Sequence, residues 1–270
     1  MSPQPIVESS AVTLARPGAA MKLLLINPNI SDSVSALIRA EAQRSASAGT
    51  EIEVLTAPFG VAYIETRFEA LLGAYAAAEL AAEHHERFDA VIVAAFGDPG
   101  LAGLREALPI PVTGLTEAAL ASAHLLGQRF SIIAISQRIQ AWYREVVTAY
   151  GFGSRLASIR ALDLPLSSIG GIQDEHAQAL MALAERAVDE DGADVIVLAG
   201  APLAGLARLL KGRLPVPVVD GVSSAVRHAE TLVALQPGRA TRGSFAPPPL
   251  KPNRGLSPAL ERLLTRGRPA

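Results

Sequence analysis

One pattern occurs twice in this chain and restricts its fold more than any other feature. Residues 88–101 (FDAVIVAAFGDPGL) run from an apolar stretch at 90–95 into Gly97-Asp98-Pro99-Gly100, a glycine-bearing turn at the start of a predicted helix. About a hundred residues on, residues 193–198 (ADVIVL) lead into Ala199-Gly200-Ala201-Pro202-Leu203. Both copies continue alike. Leu101-Ala102-Gly103-Leu104 is echoed by Leu203-Ala204-Gly205-Leu206, and Pro109-Ile110-Pro111-Val112 by Pro215-Val216-Pro217-Val218. Open α/β sheets hold ligands where a strand ends in such a turn, because the helix that follows presents free N–H groups and the positive end of its dipole. The repeat predicts one strand–turn–helix–strand unit used twice, with a site between the copies.

The remaining segments extend that rhythm. Strands are expected at 22–26, 51–56, 111–113, 130–135, 158–162 and 216–219, and helices at 33–47, 67–85, 116–126, 174–189, 202–210 and 222–235, with another carrying Trp142 and Tyr143 to Tyr150. Gly151 supplies a helix C-cap, and 165–171 reads as loop. Alternating strands and helices predict an α/β fold of parallel sheets flanked by helices. Residues 1–20 hold three prolines without periodicity and read as a tail. Residues 236–270 hold seven Lys/Arg, a single acid and Pro247-Pro248-Pro249. They read as a second tail with a short helix near 258–264, either solvated or lying on a neighbouring subunit of a homo-oligomer.

Composition removes several function classes. The net charge of −2 gives no reason to expect nucleic acid or an anionic membrane as partner. Half the residues are hydrophobic, yet no run approaches the length of a membrane span. The N-terminus lacks a cationic start followed by an apolar core, so no secretory signal and a cytoplasmic location are expected. There is no cysteine, which excludes disulfides, thiolate metal sites and thiol catalysis. The five histidines are not spaced as metal ligands, and neither a GxGxxG fingerprint nor a Walker lysine follows the turns, so no metal and no cofactor are expected.

Ile26-Asn27-Pro28-Asn29, Ile64-Glu65-Thr66, the 96–101 turn, Gly127-Gln128-Arg129-Phe130-Ser131 and Val218-Val219-Asp220-Gly221 resemble the hydantoin/allantoin racemase branch of the aspartate/glutamate racemase superfamily. The resemblance implies two similar domains related by pseudo-twofold symmetry, 21–116 plus 220–235 and 117–219, with a ligand cleft between them. It also implies a small carbonyl-rich ligand: a hydantoin, a cyclic amide or an amino-acid-like acid. Racemases of this kind use two cysteines on opposite faces of the substrate carbon, since inversion needs a base and an acid, one on each face. The equivalent positions here are Ala95 and Gly200, and neither side chain carries a proton.

The candidate catalytic groups are therefore Asp98 and Glu65. Asp98 precedes Pro99 and also reads as the N-cap of the next helix; Glu65, beside Tyr63, also reads as a cap together with Thr66. Candidate ligand contacts are Asn27, Asn29, Ser31, Phe96, Gly97, Ser136, Gly200 and Ala201. Asn27, Asn29 and Ser31 also read as turn and cap residues, Glu117 as a first-turn acid and Asp220 as a turn residue. An enzyme using a carboxylate or bound water, a lyase or hydrolase of the same fold, a non-catalytic binding protein and a tail-driven assembly protein all fit these residues.

Overall fold

The structure, a computed structural model, describes residues 20–163 and 170–265. The 165–169 part of the expected loop and most of the N-terminal tail lie outside the described residues. The first sheet is built from β1 (Lys22–Asn27), β2 (Glu51–Thr56), β3 (Ala90–Val93) and β4 (Val112–Gly114), in the order β2-β1-β3-β4. The second is built from β5 (Phe130–Ala134), β6 (Leu156–Ala161), β7 (Val195–Leu198) and β8 (Val218–Asp220), in the order β6-β5-β7-β8. Every pairing is parallel. The second order is the first shifted by four strands, so the repeat read in the sequence extends to the whole sheet.

The inner strands explain the unbroken apolar runs. β3, β5 and β7 are buried at every position and β1 at every position after Lys22, because helices cover both faces. The edge strands β2 and β6 are only partly buried. In the first half, α1 (Asp32–Ser45), α2 (Arg67–His84) and α3 (Leu101–Ala107) fill the crossovers. In the second, the crossovers hold α5 (Gln140–Ala149), α6 (Ile172–Asp189) and α7 (Leu206–Leu210). The helix expected at 202–210 is divided: a 3-10 turn at Ala201–Leu203 precedes α7. Gly100 and Gly205 are the left-handed N-caps of α3 and α7. The backbone therefore aligns Gly205 with Gly100, three residues from the match suggested by the letters.

The two halves exchange helices. α4 (Leu115–Leu126) follows the last strand of the first sheet but packs on β7 and β8. α8 (Gly221–Leu235) follows the last strand of the second sheet but packs on α1, β3 and β4, and the two helices pack on each other. The C-terminal segment returns to its own chain: α9 (Pro258–Thr265) lies on α2, with Ala259 buried and Leu263 against the first-half core. That packing corrects the picture of a merely solvated extension.

A buried acid ties the exchange together. Glu41 of α1 accepts from Arg208 Nη2 (2.6 Å) and Nε (3.2 Å), from Ser45 Oγ (2.9 Å) and from Ser223 Oγ (3.2 Å). Burial alone would raise its carboxyl, but the donors and the charge of Arg208 outweigh that and hold it below the usual range. Arg208→Met would remove the shorter of its two ion pairs and leave only the exposed Arg44, whose Nη1 lies 3.3 Å from Glu41 Oε2. Since the Arg208 side chain is 48% exposed, the expected loss is about 2 kcal/mol, short of the roughly 3–5 kcal/mol for a pair buried on both sides. Denaturant unfolding measures it, and an unchanged midpoint would contradict the assignment.

Candidate functional site

The chain turns from β4 into α4, and from β8 into α8, without an intervening loop, and the two helix starts abut. A Cβ on Gly221, the first residue of α8, would stand 2.7 Å from Cβ of Leu115, the first residue of α4. Two positive dipole ends and two sets of unpaired N–H groups thus meet in the interior, where they need acceptors. Each receives a buried carboxylate. Asp220 is the N-cap of α8 and accepts from Ser223 N (2.9 Å) and Ser223 Oγ (2.6 Å). At the equivalent place α4 has Gly114, and its acceptor comes from the 97–100 turn. Asp98 Oδ1 accepts from Thr116 N (2.8 Å), and Oδ2 from Glu117 N (2.9 Å) and the Tyr150 hydroxyl (2.9 Å).

Asp98 is therefore not the N-cap of the helix that follows it; Gly100 has that place, and Asp98 caps α4 from a distance. Its backbone is left-handed (φ 48), a conformation an Asp side chain tolerates better than most. A Cβ on Gly114 would lie 2.3 Å from Asp98 Cγ, so only glycine leaves room for the carboxylate. The turn is pinned again where Gly97 N donates to Thr116 Oγ1 (2.6 Å). Burial raises the Asp98 carboxyl to about 6, against the pull of the Thr116 and Glu117 N–H groups. Burial raises Asp220 as well, despite its bonds to Ser223.

Glu65 is not the cap of α2. Thr66 is the N-cap and Glu69 its capping-box partner, with Glu69 Oε2 accepting from the N–H groups of Glu65 (2.8 Å) and Thr66 (2.9 Å). The half-buried Glu65 side chain instead lies within electrostatic reach of Tyr63 and Tyr143, which pack in one cluster across the seam between the halves. Both phenols are raised, first by burial and then by neighbouring negative charge. Asn27, Asn29 and Ser31 bind one another. Asn27 Nδ2 donates to Asn29 Oδ1 (3.1 Å) and Ser35 Oγ (2.9 Å), Ser31 N donates to Asn29 Oδ1 (2.9 Å), and Ser31 Oγ caps α1. Ser136, half-buried, caps the 3-10 turn Gln137–Ile139. Glu117 is a first-turn acid, as its position predicts, and pairs with Arg105.

Phe96 and Ala201 are buried, and Gly97 and Gly200 half-buried, at the ends of β3 and β7. Ala95 is 8% exposed. Gly200 has φ of 105 with ψ of 140, a conformation that residues with a Cβ rarely adopt. Trp142, which nothing local in the sequence singled out, lies with its ring against Gly97. A Cβ there would stand 2.4 Å from the indole Cη2. Among the described residues, no group of three or more His, Asp or Glu is placed to hold a metal ion, and no helix is long and apolar enough to cross a membrane.

The comparisons with known proteins agree with this architecture. The sequence profile of the Asp/Glu/hydantoin racemase family matches residues 23–229. The hydantoin racemase of Paenarthrobacter aurescens is 38% identical over 232 residues, spanning 84% of this chain and 98% of that protein. The allantoin racemase from Klebsiella pneumoniae superimposes with a TM-score of 0.84 at 35% identity, covering 89% of this chain and 98% of that one. Arylmalonate decarboxylase, at 17% identity and a TM-score of 0.55, shares the fold alone. The chain belongs to the Asp/Glu/hydantoin racemase family, and it is a member without cysteine.

Asp98→Asn tests the remote cap. It keeps a side chain that tolerates the left-handed backbone, but its amide nitrogen cannot accept from an N–H. The expected loss is about 1–3 kcal/mol, the usual cost of an unpaired buried polar group. The pH dependence has a fixed sign. Between 3.8 and about 6 native Asp98 keeps a proton that the unfolded chain releases, so its contribution to stability is present at acid pH and lost as pH rises through about 6. Denaturant midpoints of wild type and variant across that window should show this component in the wild type only.

Proposed function

We propose that the seam between the two halves is a ligand cleft for a small carbonyl-rich molecule of the hydantoin or allantoin kind, handled without thiol chemistry. The carrying observation is that the strand ends, turns and helix starts of the racemase fold are intact while Ala95 and Gly200 occupy the thiol positions. In this reading 21–116 with 220–235 and 117–219 act as the two domains. Phe96, Gly97, Ser136, Gly200 and Ala201 contact the ligand, and Asn27, Asn29 and Ser31 brace the edge of the site through the turn they form. Glu65 is the base, since its carboxylate lies beside the cleft and takes no part in the capping box. Asp98 acts by holding the Gly97 turn against the start of α4. The protein works in the cytoplasm as a homo-oligomer. Phe68, Leu71, Leu72 and Tyr75 support the oligomer, since they form an exposed apolar stripe at helical spacing along α2.

A second reading, a binding protein without turnover, is favoured by the missing proton carriers together with the indole of Trp142 packed against the Gly97 turn. Incubation with hydantoin, allantoin and free amino acids in deuterated water separates the two. Loss of the α-proton signal by NMR above the spontaneous rate, abolished in Glu65→Gln, supports the enzyme. Saturable binding without exchange supports the binder. Neither exchange nor binding with any of these compounds would defeat both readings.

A further inference from the structure

Four contacts join α5 and its C-terminal cap to the first half of the molecule. The indole of Trp142 rests on Gly97. The Tyr143 ring packs on Phe96, with centroids 4.8 Å apart. Glu145 receives both arms of the Arg67 guanidinium, with Nε at 2.8 Å. Tyr150, at the helix end, donates to Asp98 Oδ2 at 2.9 Å. Trp142 is 8% and Tyr143 2% exposed, so these side chains close the seam over the end of β3. Ile64 and Phe96 of the first half belong to the same apolar cluster as Trp142, Tyr143 and the core of the second half.

We infer that α5 is the gate of the cleft, with Trp142 as its plug and the Arg67–Glu145 pair and the Tyr150–Asp98 bond as its latches. The face of Gly97 that the indole covers opens only when α5 lifts from the first half. The latches differ in kind. Both side chains of the ion pair are more than half exposed, so it biases the closed state weakly. The Tyr150 bond ends on the buried carboxylate that caps α4, so closing the gate also completes that cap. A ligand that displaces Trp142 must compensate for both contacts, and an unliganded chain stays shut. The plug also limits size, since a ligand standing on Gly97 takes the volume the indole now fills.

The inference rests on the reading that ligand meets this turn, but its test needs no ligand. Trp142 is the single tryptophan of the chain, so all indole emission reports the plug. Acrylamide quenching of a buried indole proceeds through its opening. Wild type should emit as a buried tryptophan and quench slowly. Glu145→Gln should raise the bimolecular quenching constant about two- to five-fold, the range expected for loss of one exposed ion pair, with the thermal midpoint unchanged. Glu145→Gln with Tyr150→Phe should raise it further. Unchanged quenching in the double variant, quenching that rises only as global stability falls, or a wild type already quenched like free tryptophan would each overturn the gate. Hydrogen–deuterium exchange at a ligand's α-carbon is a separate observable, so the gate and the proposed function can fail independently.

Discussion

Everything near the seam depends on the meeting of two helix starts. α4 and α8 begin directly at the ends of β4 and β8, and Gly221 stands so close to Leu115 that no Cβ fits between them. Two dipole ends of the same sign in contact repel, and their N–H groups cannot be left dry. Asp98 and Asp220 answer both problems with buried carboxylates, one reaching across from a turn and one in place at the cap. Burial pushes both carboxyls upward, so each is held against a desolvation cost by its donors. The exchange of α4 and α8 between the sheets then makes the two halves mutually dependent, and Glu41 with Arg208 and Ser223 adds a second polar tie.

That arrangement is independent of the side chains at the ends of β3 and β7. The capping network runs through Asp98, Thr116, Gly114 and Tyr150, and none of these bonds involves the side chain at 95 or 200. Ala95 is a plain apolar replacement within a buried strand end. Gly200 has a backbone in a region where a side chain is strained. What remains at the seam is a set of oxygen acids: Glu65, the Tyr63 and Tyr143 phenols, and the Asp98–Tyr150 pair.

Much of the fold was legible because it rests on short-range rules. β1, β3, β5 and β7 read as unbroken apolar runs since helices cover both faces, and Gly151 ended α5 as a left-handed residue must. The repeated turns led to two equivalent sheets. The site was less legible, because its residues act over long sequence distances. Asp98 before Pro99 looks like a local cap, yet Gly100 takes the cap of α3 and the carboxylate serves α4, 18 residues on. The Thr66–Glu69 box has the spacing of a capping box, and Glu65 lies just outside it. Trp142 and Glu145 sit at ordinary helical positions, and only the packing of α5 across the seam gives them a role.

The central claim is that the racemase scaffold is intact while a side chain at Gly200 would strain its backbone. Ala95→Cys combined with Gly200→Cys places both thiols at the family positions in a chain with no other cysteine. With one enantiomer of allantoin as substrate, circular dichroism should show no thiol-dependent loss of optical activity above the spontaneous rate, because a side chain at Gly200 strains its backbone. Racemisation that appears in the double variant and is blocked by a thiol-alkylating reagent would contradict the account.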